Sequence, residues 1–334
     1  MIDGETTWTG GGVREFNGGG IFAQGNQAAQ LPLVLQDLSI ADNATVGIQA
    51  TLTDLEATDV KITGTVSYPE ICEADFTYSC DWALAAFQSD VDWLGGAIRD
   101  NDGMGAVISD GPSDFTDLEL ANNQLNGIWA IQAVVNLIGA DVHGTGEVAL
   151  AAQSGSFVTV DDSSFHDREH TLEFGDETAL NRLGFQAYEV VADDSTVEVT
   201  NSRFRQGNSG IQGRTNSTVT VTDSTFDDYN EFGVQALGGT LTVETTDFDG
   251  FGGNAIACSG NGDASISRVT ISDVSTVKSL FEFWQDGELI SSSLTEVPRP
   301  GMSVNTCSLD ASRLSFTGMQ TQALDITNSV VDEL

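Results

Sequence analysis

The stretch GIQGRTNSTVTVTDSTF, Gly210 to Phe226, is followed by GVQALGGTLTVETTDF, Gly233 to Phe248. Both read as a Gly, a short strand, a polar turn, an alternating pair of apolar residues, a second polar pair and then Phe. Val197-x-Val199 leads to Phe204, Val219-x-Val221 to Phe226 and Leu241-x-Val243 to Phe248, with the aromatics 22 residues apart. Ile266 and Ile271 continue the series at steps of 23, and Val158-x-Val160 to Phe165 and Val135-x-Leu137 to Val142 extend it upstream. Leu118-x-Leu120 to Leu125 reads as one more copy, and LDITNSVV (Leu324 to Val331) matches VEVTNSRF (Val197 to Phe204) type for type. A second short strand recurs at Gly127-Ile128, Gly184-Phe185, Gly210-Ile211, Gly233-Val234 and Ala255-Ile256.

A period of 20 to 30 residues built from short alternating strands marks a solenoid. One rung cannot bury its Val and Phe alone. Stacked rungs place each residue about 4.8 Å from a like neighbour. Period-2 alternation, Thr/Val/Phe richness and turn glycines exclude helical repeats. The fold class read from this is all-β, a parallel β-helix of roughly 11–13 rungs. Variable turn lengths favour the right-handed form. The whole chain, 1–334, reads as one such domain, with insertions at about 63–104, 166–183 and 281–302.

GGGIF (Gly18 to Phe22), GIQ (Gly210 to Gln212) and the V-x-[ND]-S-x-F pattern of Val199 to Phe204 and Val221 to Phe226 resemble the repeats of bacterial secreted proteins of the pectin-lyase-like superfamily. The resemblance implies the right-handed β-helix and an extracellular setting; it does not imply catalysis. Hydrolases of the pectin-degrading group carry Asn-Thr-Asp and Arg-Ile-Lys motifs that this chain lacks, although Asp161-Asp162 and His143-Gly144 are present.

The chain carries 50 acidic against 12 basic residues, a net charge of -38. Such a surface repels phosphate backbones and anionic membranes, so nucleic acid is not an expected partner. Calcium on acidic ladders would offset the repulsion. No apolar run reaches membrane-spanning length, so no membrane insertion is expected. The opening MIDGETTWTGGG is polar and is not a signal peptide, so a secreted protein would here be in its mature or trimmed form. Four cysteines in a Gly/Thr/Ser-rich chain favour an oxidising compartment. Cys72 and Cys80 bracket a short loop that reads as a local disulfide; Cys258 and Cys307 form a second pair or stay free.

The register predicts polar turn ladders at Asn122, Gly139, Asp162, Asn201, Asp223, Thr245 and Asn328. It also predicts an outward stack of His143, His166, Arg205, Asp227 and Asp249, with Arg205 beside Asp227. In the first insertion, DWALAAFQSDVDWL (Asp81 to Leu94) has helical spacing with Asp81 as N-cap. There Tyr78, Trp82 and Trp93 read either as a sugar-binding platform or as aromatics that dock a flap. His166 and His170, with His143 one rung away, read as a metal set, and a solvated loop is the alternative. Polysaccharide lyases on this fold need a base beside carboxylates that hold calcium; Arg203, Arg205 and Asp227, with Arg214, Asp223 and Asp228 nearby, are the candidate cluster.

The function expected is therefore a non-catalytic, extracellular surface, adhesive or filament-forming module. Its partners would be other copies of itself, other surface proteins or a glycan. The alternative is a carbohydrate-active enzyme, a polysaccharide lyase or glycoside hydrolase. Neither end shows a capping helix, which fits a piece of a longer chain or ends that join other subunits.

Overall fold

The repeated Val-x-Val places alternate side chains on opposite faces of a strand, and a Gly, Asn or Asp after each strand lets the chain turn sharply. The computed structural model describes residues 6–16, 19–25, 31–66, 82–146, 148–167, 188–285 and 288–333, with backbone alone at 31, 276–298 and 332–333. Each rung makes three short strands that face three ways. In one rung these are Tyr188–Asp193 (sheet 1), Thr196–Thr200 (sheet 2) and the first part of Arg203–Gly213 (sheet 3), whose second part begins sheet 1 of the next rung. Strands pair in parallel with their counterparts one rung above and below, Val197 with Val158 and Val219, for example. This is a parallel β-helix.

One interior column shows the stacking. Val13, Ile40, Ile62, Ile98, Leu120, Val142, Phe165, Phe204, Phe226, Phe248, Ile271 and Phe316 lie partner on partner through twelve levels. The four phenylalanines from Phe165 to Phe248 stack face to face, with centroids 4.8, 4.6 and 4.9 Å apart. All four are fully buried. Such aromatic pairs add about 0.5–1.5 kcal/mol each beyond the area they bury. The column also explains the Gly before Ile211 and Val234. A Cβ on Gly233 would stand 2.8 Å from the ring of Phe248 and 2.6 Å from the Ala255 carbonyl oxygen.

The polar pair before each Phe has a physical role at the corner between sheets 2 and 3. Asp162, Asn201 and Asp223 take φ of 48, 50 and 49°, a left-handed turn that short polar side chains tolerate. The following serines point inward and make a ladder. The Ser163 and Ser202 amides donate to Ser202 Oγ and Ser224 Oγ, both at 3.2 Å. Each hydroxyl in turn donates to a strand carbonyl, Ser202 to Thr200 at 2.8 Å. Buried polar groups are thereby satisfied from one rung to the next. Asn101 and Asn123 do the same at another corner, at 2.8 Å.

Several sequence expectations are corrected. Trp82–Phe87 and Asp90–Leu94 are strands of sheets 1 and 2, not a helix. WALAAF is apolar throughout because this stretch of sheet 1 is buried on both faces; the missing alternation mimics helical spacing. Trp93 stands in the interior, 2% exposed, with its Nε1 donating to the Gly95 carbonyl at 2.8 Å. Leu120 aligns with Val142, so the strand of that rung equivalent to Val135-x-Leu137 is Ser113-x-Phe115, not Leu118-x-Leu120. Asn122 lies in the turn from sheet 3 to sheet 1, one corner on from Gly139. Leu324–Thr327 pairs with Met302–Asn305 of sheet 1, so LDITNSVV is offset from VEVTNSRF by one sheet. Val190, not Phe185, pairs with Ile211; Phe185 lies outside the described residues.

The third insertion is an antiparallel hairpin, Thr276–Gln285 with Glu288–Pro298. Rungs resume at Trp82 after the first insertion and at Tyr188 after the second. Cys258 and Cys307 are disulfide-bonded across the rung that holds the hairpin, 49 residues apart; Cys72 and Cys80 lie outside the described residues.

Phe226→Ala is expected to cost about 3–5 kcal/mol in denaturant unfolding, whereas Thr220→Ala, on the outer face, should stay within about 0.5 kcal/mol. Replacing Cys258 and Cys307 with Ser should lower stability by about 2–4 kcal/mol, because the bridge closes a long loop in the unfolded chain.

Candidate functional site

The outer face of sheet 3 carries the expected column. His143 pairs in register with His166, Arg205 with Asp227, and Asp227 with Asp249. The two imidazoles stack at 5.0 Å, 12° from parallel. His166 Nε2 meets Asp141 Oδ1 and its Nδ1 meets Asp167 Oδ2, both at 2.7 Å. Each ring nitrogen of His166 thus already faces a carboxylate rather than an open position. His143 Nε2 faces Glu119 at 3.8 Å. Among the described residues no three His, Cys, Asp or Glu groups converge on a metal position; His170 lies outside them, as does Tyr78.

The ion pair of this face differs from the register expectation. Asp227 Oδ2 accepts from Arg203 Nε at 3.1 Å and Nη2 at 2.8 Å, so Arg203 rather than Arg205 is its partner. Arg203 reaches across one rung, and both groups remain partly exposed. Arg205 is half-buried, and its shielded Nε has no acceptor among the described residues. Arg214 belongs elsewhere: it follows sheet 1 and donates from Nε to Gln212 Oε1 at 2.7 Å. The arginines named in sequence are therefore two separate groups.

A second arrangement, on the outer face of sheet 1, was not singled out from sequence. Val107, Trp129, Ala151, Val191, Gln212, Gln235 and Ala257 form one outward column. Its first part joins Met104, Val148 and Tyr188 in a buried hydrophobic cluster outside the main interior, against which Trp82 and Phe87 pack. Trp82 and Phe87 meet edge to face at 5.6 Å. Trp129 Nε1 donates to Gln153 Oε1 at 3.1 Å.

Where the cluster turns polar, the Tyr188 hydroxyl accepts from Gln212 Nε2 at 2.7 Å and donates to Gln235 Oε1 at 3.2 Å. Gln212 Nε2 also reaches Gln235 Oε1 at 2.8 Å. Tyr188 is only 3% exposed. Burial, seconded by the charge of Glu231, pushes its phenol up to about 12, against the opposing pull of Arg214 and the Gln212 hydrogen bond. Burial likewise raises the Glu231 carboxyl, with Arg299 opposing. Tyr188 is thus held neutral, a donor and acceptor beside amides, a guanidinium and an indole. The signal in the sequence was Gln in the Gly-Ile-Gln and Gly-Val-Gln repeats, since the residue after an inward Ile or Val points outward.

Topology sets this face apart. The described strands stop at Lys61–Thr63, Ser164–His166 and Thr270–Ser272 of sheet 3 and resume at Trp82–Phe87, Tyr188–Asp193 and Met302–Asn305 of sheet 1. All three long insertions therefore leave the coil at one corner, along the border of sheet 1.

The family described as right handed beta helix region matches residues 96–240 and 181–329. The chain belongs to that family, and its coil is right-handed. Solved structures to which the chain is similar include the catalytic domain of Agl-KA, at 10% identity and TM-score 0.45, covering 98% of this chain and 62% of that one. The periplasmic alginate epimerase AlgG matches at 12% identity and TM-score 0.27, covering 95% and 78%. The Siphovirus 9NA tailspike receptor binding domain matches at 9% and 0.27, covering 91% and 52%. The chain thus spans less than two thirds of the Agl-KA domain and of the tailspike domain. No curated protein sequence matches the chain.

Tyr188 supplies a test of this geometry. Its raised pKa stabilises the fold fully below the ordinary tyrosine value near 10, and that contribution is lost as pH rises through about 12. In an ultraviolet titration, the difference between the wild type and Tyr188→Phe should show one tyrosine ionising near pH 12, beyond the ordinary range.

Proposed function

We propose that the chain is a non-catalytic, extracellular β-helix that recognises a glycan on the outer face of sheet 1. The carrying observation is the convergence of three insertions on the border of the face that holds Tyr188, Gln212 and Gln235. Loops on a rigid scaffold are where binding specificity resides. The partly exposed Gln235 amide and Arg214 guanidinium are groups that pair with sugar hydroxyls, and the buried Tyr188 and Gln212 hold them in place. The disulfide supports an oxidising, extracytoplasmic location. No helix among the described residues is long and apolar enough to cross a membrane.

Arg203 is held by Asp227 and His166 by Asp141 and Asp167, which favours a structural part for these charges. A second reading, a carbohydrate-active enzyme on the same face, is favoured by Tyr188. On that reading its neutral phenol and the half-buried Glu231 are the acid–base pair.

A panel of neutral, cationic and anionic oligosaccharides separates the two. Binding without new reducing ends or unsaturated products is expected, weakened by Gln212→Ala and by Gln235→Ala with the fold intact. Turnover lost in Tyr188→Phe would replace binding with catalysis.

A further inference from the structure

Sheet 2 presents an outer face that the glycan reading does not use. Its strands Asp90–Leu94, Pro112–Thr116, Val134–Ile138 and Phe157–Asp161 lie in register, so their outward residues form three columns. One column runs Pro112, Val134, Phe157; another runs Leu94, Thr116, Ile138. Between them run Asp92, Asp114, Asn136 and Thr159. Leu94 is 51% exposed, Val134 and Ile138 are each 43% exposed and Phe157 is 37% exposed. The centre is ordered by hydrogen bonds: Thr159 donates to Asn136, and Asn136 Nδ2 donates to Asp114 Oδ1 at 2.6 Å. That ladder ends on the Asp114 carboxylate, and Asp92 stands one strand further on.

Exposed large apolar residues grouped on one face mark interaction surfaces. On the strand Val134–Ile138 the outward residues read apolar, amide, apolar, with Asp114 and Asp92 in the central column beside Asn136, and with Asp161 following Ile138 in its column. An extended segment has the same period on its own face, about 6.6–6.8 Å for two residues. We propose that this face docks an extended segment of a partner protein that presents a Lys or Arg between two large apolar residues, each two positions away.

The cation meets Asp114 and Asp92, and the flanking side chains cover Val134 with Phe157 and Ile138 with Leu94. A second copy of the chain does not meet this description. None of its 12 Lys and Arg residues has a large apolar residue at both i−2 and i+2. The net charge of -38 also opposes pairing of two such faces.

The proposal stands apart from the glycan reading, because it uses a different sheet. The probe is a capped, fluorescein-labelled nonapeptide in which Val, Lys and Ile alternate with Thr, followed by anisotropy at low and moderate salt. Saturable binding is expected, weakened about tenfold by Val134→Thr with Ile138→Thr, a loss of buried apolar area at retained strand propensity, and weakened similarly by Asp114→Asn. Gln212→Ala should leave it unchanged, and a probe with Glu for Lys should not bind.

Equal binding of a scrambled peptide of the same charge would overturn the proposal, as would unchanged affinity in the double Thr variant with wild-type melting behaviour. So would a concentration-dependent dimer, seen by sedimentation, that the double variant abolishes.

Discussion

Parallel pairing between rungs is the constraint from which the rest follows. Once Phe204 sits under Phe226, with its strand hydrogen-bonded to the next, every outward residue of that rung also acquires a fixed neighbour. A side chain is judged against its like above and below, so apolar, hydroxyl and amide types sort into columns. The ladder through Ser163, Ser202 and Ser224 and the pair Asn101 and Asn123 show the same rule applied to buried polar groups. A solenoid of this kind gains stability from neighbouring interfaces rather than from a single central core.

The same rule spreads charge. Asp227 with Arg203, His166 with Asp141, and Glu244 with Arg268 are contacts between adjacent rungs. Exposed pairs of this kind contribute little stability each. They do fix which face each cation occupies, and with so few cations against 50 carboxylates that placement decides where the surface is less repulsive.

The interior was legible because Val-x-Val and Phe recur at a constant step and bury the same face each time. The Phe column, the outward stack of His143 and His166 and the left-handed turns at Asp162 and Asn201 all follow from that step. What failed has distinct causes. The three sheets use nearly the same alternation, so Leu118-x-Leu120 and LDITNSVV fit a neighbouring sheet as well as their own. Trp82–Phe87 lost its alternation where a second apolar layer lies outside the coil, and it then resembled a helix. The Tyr188 network was invisible because Tyr188 meets Gln212 and Gln235 only after the register is known; in sequence they are 24 and 47 residues away.

The corner between sheets 3 and 1 carries a wider implication. Chain that departs there re-enters at a level dictated by the strands already laid down, as Met302–Asn305 does on Asn254–Ser259 after the hairpin. The length and composition of each excursion are therefore uncoupled from the pitch of the coil. A lineage of such chains can lengthen or rewrite its border segments while every rung keeps its height, so sequence divergence would accumulate at that seam and leave the stacked interior untouched.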